Sequence, residues 1–120
     1  MKIDRFEDAE VWRLARDFAG KIYLQTISGN LARDYSFRDR LRRSAVSIMA
    51  NIAEGFERQT NKELVQFLYI AKGSAGELRS HLCLAYDVGY LDENTVNELL
   101  EQALKISRSL SGFIKYLQNN

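Results

Sequence analysis

The sequence contains no proline in 120 residues, and it has only one cysteine. Because proline breaks the interior of an α-helix, its absence permits long uninterrupted helices. The single cysteine, Cys83, excludes an intrachain disulfide and suits a reducing compartment. The chain starts without the apolar core of a signal peptide, and no apolar run approaches the roughly 18 residues of a membrane span. We therefore expect a cytoplasmic protein with no membrane partner.

The chain also has little net charge. Its 17 basic and 16 acidic side chains give a formal charge of +1, so any basic surface must be local. This excludes a strongly basic nucleic-acid-binding protein at the level of the whole chain. Hydrophobic residues make up 46% and charged residues 28%, which is ordinary for a globular protein. The length predicts a single domain over residues 1–120.

Apolar residues recur at three- and four-residue steps, which predicts amphipathic helices. The third predicted helix carries a heptad seam, whereas the period-two alternation of a strand is not found. The connections are too short for a crossover along the bundle. The sequence therefore predicts an all-α fold, an antiparallel up-down-up-down four-helix bundle. The four helices are expected at about 8–27, at 37–55 with Ser36 as N-cap, from the Thr60 capping box to about 88, and from the N-cap Asp92 to about 117.

Five of the glycines fall at positions that carry a structural prediction. Gly29, Gly55 and Gly89 stand where periodic segments end, as expected of residues that terminate a helix in the left-handed conformation. Gly73 and Gly76 lie within the third helix, where each costs about 1 kcal/mol relative to alanine. We expect close packing against another helix to offset that cost, with a hinge as the alternative interpretation.

Residues suited to catalysis are scarce. The only histidine, His81, has Glu77 four residues before it, and one carboxylate–imidazole pair cannot complete a metal coordination sphere. Cys83 does not share a helix face with His81, and no glycine-rich phosphate-binding loop occurs. The sequence therefore predicts no catalytic residue, no metal and no cofactor.

A row of polar residues runs beside the apolar stripes of the second helix. It comprises Ser47, Asn51 and Glu54, and Glu77 of the third helix joins them as a polar residue near the core. Polar groups next to a buried face normally have hydrogen-bond partners. We expect a polar network that caps and connects helices, in preference to a catalytic group.

The most unusual local feature is an arginine cluster at residues 33–43, where five arginines and two aspartates give a net charge of +3. Arginine binds phosphate through two parallel hydrogen bonds and stacks on bases. The cluster is thus a candidate nucleic-acid site, with Arg38, Arg42 and Arg43 expected on phosphates. The full candidate set is Arg33, Arg38, Arg40, Arg42, Arg43, Arg58 and Lys62. Two alternatives stay open: pairing with acids of the first helix, such as Asp8, Glu10 and Asp17, or with an acidic face of another subunit.

The chain has more apolar side chains than one small core requires. A second apolar row flanks the heptad seam of the third helix, and tyrosines add to it elsewhere. Surplus apolar surface predicts subunit contacts, hence a homo-oligomer. These residues are Val65, Phe67, Tyr69, Ile70, Tyr23, Tyr86, Tyr90 and Tyr116.

Several segments together resemble a known family. They are residues 6–12, residues 41–48 leading into the Asn-Ile-Ala-Glu-Gly element at 51–55, residues 67–74, the Glu-Leu pair at 77–78 and residues 89–91. In these segments the chain resembles the small four-helix bundle proteins encoded in intervening sequences of bacterial 23S rRNA genes. It is also similar to the accessory protein of diversity-generating retroelements, a pentameric barrel that binds nucleic acid and the reverse transcriptase.

The resemblance implies an up-down bundle that assembles as a ring of five subunits, and it implies no enzymatic activity. A ring would repeat the arginine cluster around its axis and strengthen the field of a nearly neutral subunit. We therefore expect a non-enzymatic oligomer that binds nucleic acid by electrostatic attraction, with structured RNA as the main expectation and DNA left open. The alternative is a protein–protein interaction scaffold with no nucleic-acid role.

Overall fold

The computed structural model describes residues 3–119. Its elements, in chain order, are a single 3-10 turn at Phe6–Asp8, α1 (Glu10–Gln25), α2 (Gly29–Arg33), α3 (Tyr35–Phe56), α4 (Asn61–Asp87) and α5 (Glu93–Gln118). The part of the chain from 3 to 119 contains no strand. This confirms the all-α prediction and its four long helices. The predicted connection before the second long helix contains α2, a helix of five residues.

The four long helices surround one elongated core. Helix α3 packs against α1 and α4, and α5 packs against the same two helices, so α3 and α5 stand diagonally across the bundle. The molecule measures 46 × 20 × 19 Å. The heptad seam of α4 is buried along its whole length, as the spacing predicted. It consists of Leu64, Leu68, Ala71, Ala75, Leu78, Leu82 and Ala85.

Side-chain caps fix the beginnings of three helices. The backbone N–H of Glu63 donates to Thr60 Oγ1 at 3.1 Å, and that of Thr95 donates to Asp92 Oδ1 at 2.7 Å, as predicted. The cap of α3 differs from the prediction. Asp34, rather than Ser36, accepts from the Phe37 N–H at 3.2 Å, because α3 begins two residues earlier than the apolar stripe indicates.

Gly55 does not terminate a helix, and this corrects the prediction. Gly89, with φ of 81°, follows the C-cap of α4 as predicted, whereas Gly55 lies inside α3 and is buried. Gly29 has a φ of 74° but does not end α1, which stops at Gln25; it is the first residue of α2. A Cβ at Gly55 would stand 2.8 Å from Leu64 Cδ1 and 3.0 Å from Phe67 Cβ. The close approach of two helices is therefore at Gly55, where α3 meets α4. Within the chain, nothing lies within 4 Å of a Cβ at Gly73, and only the Arg79 guanidinium, at 3.7 Å, is near one at Gly76.

Candidate nucleic-acid interface

The arginine cluster lies at one end of the bundle, on α2 and the first half of α3. The same end contains the turn between α4 and α5. The hydroxyl of Tyr90, in that turn, donates to Asp34 Oδ2 at 2.9 Å, while Asp34 Oδ1 caps α3. Because the phenol donates to a carboxylate, the pKa of Tyr90 is raised above its ordinary value. This contact fixes the start of α3, from which the arginines project.

Arg42 has partners within the chain that the sequence did not predict. Its Nε donates to Thr26 Oγ1 at 2.8 Å, and its Nη2 donates to the Thr26 carbonyl oxygen at 3.2 Å. The guanidinium also lies over the ring of Tyr23, 4.6 Å from its centroid. Thr26 is the C-cap of α1, where carbonyl oxygens lack helical partners and favour a cation. Arg42 thus connects α3 to the end of α1.

Arg38 and Arg33 also have partners within the chain. Arg38 pairs with Asp39 at 3.1 Å, donates to the Ala32 carbonyl oxygen at 3.3 Å and lies 4.9 Å from the Tyr35 ring centroid. Arg33 donates to Asn30 Oδ1 at 3.2 Å. No ion pair joins the cluster to the acids of α1 within residues 3–119, and Asp17 instead pairs with Lys21 at 3.5 Å. The anticipated pairing with the first helix is therefore not the arrangement in the subunit.

Arg40 and Arg43 are the two cluster arginines that remain exposed, without a hydrogen bond or ion pair in residues 3–119. They stand three residues apart, so they project from one side of α3. Neither aspartate of the cluster contacts these two arginines. Asp39 pairs with Arg38, and Asp34 accepts a hydrogen bond from Tyr90. Arg40 and Arg43 are therefore the cluster arginines whose guanidinium N–H groups are not occupied within residues 3–119.

Arg58 and Lys62 are not part of this surface. They follow α3 and begin α4, about 20 Å along the bundle from Arg43 at 1.5 Å per helical residue. Arg58 pairs with Glu54 at 2.8 Å and lies over the ring of Phe67. The sequence placed these two bases in the candidate set by charge alone, and the structure separates them from the cluster.

The predicted polar network is divided between two places. The hydroxyls of Ser47 and Ser74 bond to one another at 2.8 Å, and Asn51 Nδ2 donates to Ser47 Oγ at 3.0 Å. Glu77 accepts from Ser44 at 2.8 Å, so these bonds join α3 to α4. Glu54 takes no part in them, since it pairs with Arg58. The partners Ser44 and Ser74 lie on facing helices, and sequence spacing within one helix does not reveal such pairs.

Two further features of the described residues bear on function. His81 is half-buried beside Phe37, with ring centroids 6.1 Å apart, and its Nδ1 is buried without a hydrogen-bond partner. In residues 3–119 no cluster of three or more potential metal ligands occurs, and no helix there is long and apolar enough to cross a membrane.

Comparison with known proteins places the chain in a family. The model of the 23S rRNA-intervening sequence protein family matches residues 7–112. The chain belongs to this family. No curated protein matches it. Among solved structures, the chain is similar to a protein from Bacteroides thetaiotaomicron. That crystal structure is of a protein with unknown function from the S23 ribosomal protein family. The TM-score is 0.81 and the identity 25%, over 88% of this chain and 95% of that chain.

Proposed function

We propose that the protein is a non-enzymatic, oligomeric four-helix bundle that binds structured RNA through the arginine surface of α3. Arg40 and Arg43 carry the proposal, because both are exposed and neither has a partner in residues 3–119. A guanidinium without an internal partner is available for bidentate contact with phosphate. Such binding positions the RNA without reading its sequence, and it weakens as salt increases.

Self-association supports this function by multiplying a small site. Apolar side chains remain more than half exposed on the subunit, including Leu24 at 66%, Ile27 at 63% and Tyr69 and Ile70 at 51% each. Burial of such side chains is worth about 25 cal/mol per Å². A ring of five subunits, as in the family resemblance, would present five copies of the Arg40–Arg43 pair to one RNA.

The experiment compares two charge-matched double variants in an RNA-binding titration. R40A/R43A removes the two free arginines of α3, and K105A/R108A removes two exposed bases from α5. The proposal predicts about 10-fold or greater weakening for the first variant and little change for the second, as two lost phosphate contacts require. Equal weakening would indicate a diffuse charge effect, and no weakening would remove the site.

A second candidate function, a self-assembling scaffold without RNA, is favoured by one observation. Residues 87–101 contain five exposed acids and no base, and they lie at the same end of the bundle as the arginines. The acidic start of α5 stands diagonally across from α3. Because the acidic face and the basic face lie on different sides of the subunit, the acidic face of one copy can contact the basic face of the next, in a head-to-tail arrangement. If R40E/R43E dissociates the assembly and E98K/E101K restores it, the arginines serve the subunit contact instead.

A further inference from the structure

We propose that the part of the RNA held at this surface is single-stranded, with its bases stacked on Tyr23 and Tyr35. The inference rests on the proposed function and specifies its substrate. Tyr35 is 66% exposed and Tyr23 is 41% exposed, so both rings have surface that a base could cover. Each ring has an arginine guanidinium against it, Arg38 at 4.9 Å from Tyr35 and Arg42 at 4.6 Å from Tyr23.

The two aromatic–arginine pairs follow one line along the bundle. Tyr35, Arg38 and Arg42 are spaced at i, i+3 and i+7, so they share a face of α3 over about 10 Å. Tyr23 extends this line from α1, because its ring lies on Arg42. A shallow depression of about 480 Å³ adjoins Tyr23 and is lined by Tyr23, Asp39, Arg42, Arg43, Val46 and Ser47. Alternating aromatic and cationic groups beside a depression are typical of single-strand binding surfaces.

The hydrogen bonds of these arginines distinguish stacking from a simple phosphate clamp. Arg42 donates hydrogen bonds to Thr26 through two nitrogens. Arg38 donates to the Asp39 carboxylate and to the Ala32 carbonyl oxygen. These hydrogen bonds hold the two guanidiniums beside the rings, at 4.9 and 4.6 Å from the ring centroids, and leave fewer of their N–H groups for phosphate. Arg40 and Arg43 supply guanidinium groups that have no partner in residues 3–119 and can bind phosphate. The surface thus has one set of groups for base faces and another for the backbone.

A duplex cannot use the first set of groups. Its base faces are covered by their neighbours in the stack, and A-form RNA exposes mainly phosphates and 2′-hydroxyls to a protein surface. Loops, bulges and ends of a structured RNA offer unstacked bases, whose association with an aromatic side chain is insensitive to sequence. The tyrosines therefore select single-stranded segments over paired ones.

The test uses oligouridylate of about 12 nucleotides, which spans a typical single-strand site, and a blunt-ended RNA duplex of the same length as the paired probe. Y35L and Y23L are expected to weaken oligouridylate binding about 5- to 100-fold each, which is the range for loss of one stacked base. The affinity for the duplex should stay within about twofold. Y35F retains the ring and should bind as the parent does, because stacking needs no hydroxyl.

K105A/R108A serves again as the control for a change of surface away from the cluster, since both bases are exposed on α5. If Y35L and Y23L leave oligouridylate binding unchanged, or weaken both probes equally, the stacking proposal is wrong. If they change the native mass of the assembly, these tyrosines belong to a subunit contact and the proposal is also wrong. Binding of the duplex that depends on Arg40 and Arg43 would sustain the proposed function in either case. If the parent protein binds neither RNA probe, both proposals are wrong.

Discussion

The guanidinium of Arg42 donates to the hydroxyl of Thr26 at 2.8 Å and to its carbonyl oxygen at 3.2 Å. Thr26 is only 1% exposed, and its hydroxyl donates in turn toward carbonyl oxygens of the last turn of α1. An arginine of α3 therefore supplies hydrogen-bond donors to the polar groups at the end of α1. The contact links the two helices that carry the proposed binding surface, so it supports the shape of that surface in addition to its charge.

Arg42→Ala is expected to lower the free energy of unfolding by about 1–3 kcal/mol. The variant loses a charged donor to Thr26 and the contact with the ring of Tyr23. Arg43→Ala is the control, because Arg43 is exposed and unpaired in residues 3–119, and its effect should stay within about 0.5 kcal/mol. Urea unfolding measures both values. Equal stabilities of the two variants would show that the Thr26 contact contributes nothing.

Gly55→Ala and Gly73→Ala should change stability in opposite directions. A methyl group at Gly55 meets Leu64 and Phe67 at 2.8 and 3.0 Å, and overpacking costs about 1–3 kcal/mol, only partly offset by the better helix propensity of alanine. Gly73 has open space around it within the chain, so alanine there should add about 1 kcal/mol. Thermal or urea unfolding of the two variants checks the signs. A Gly73→Ala protein that unfolds more easily would place another copy of the chain against that face.

Tyr90 should titrate at higher pH than a free tyrosine. The hydrogen bond from its phenol to Asp34 favours the protonated form, and ionisation would also place a second anion beside that carboxylate, so the pKa of Tyr90 is raised above its ordinary value of 10.0 in the folded state. The stability that this bond contributes is therefore complete below about pH 10, the unfolded value, and is lost as the pH rises through the folded one. Phenolate absorbance measures the titration. Asp34→Asn keeps an oxygen that can cap α3 and removes the anion, so the highest tyrosine transition should move to lower pH; an unmoved transition contradicts the assignment.

Because Asp92 caps α5 as a carboxylate, we expect the protein to lose stability in acid. Hydrogen bonds from Thr95, the backbone N–H first, lower the pKa of Asp92 below its ordinary value of 3.8. A carboxyl group with a lowered folded pKa stabilises the protein above its unfolded pKa, and that stability is lost as the pH falls through the folded value. Asp92→Asn preserves a cap without an ionisable group. The difference in unfolding free energy between parent and variant should thus shrink as the pH falls below 4, and a constant difference would contradict this role.

The sequence predicts features that depend on local periodicity and misses those that depend on a neighbouring helix. The α4 seam from Leu64 to Ala85 was predictable because heptad spacing alone assigns those residues to one face. Gly55 was misassigned because a glycine just before a turn has the same local signature whether it ends a helix or admits a neighbour. Arg42 was assigned to phosphate because its partner, Thr26, lies sixteen residues earlier on another element. The separation of Arg40 and Arg43 from the other arginines likewise follows from tertiary contacts.

The salt dependence of RNA binding tests the central claim most directly. The logarithm of the affinity should fall linearly with the logarithm of the salt concentration, with a slope set by the number of phosphates contacted. Arg40 and Arg43 are exposed and unpaired in the described chain. In R40A/R43A the slope should therefore become less steep by about 1–2. The urea concentration at the midpoint of unfolding should stay constant. An unchanged slope in that variant, or a parent protein whose affinity for RNA is indifferent to salt, would contradict the account.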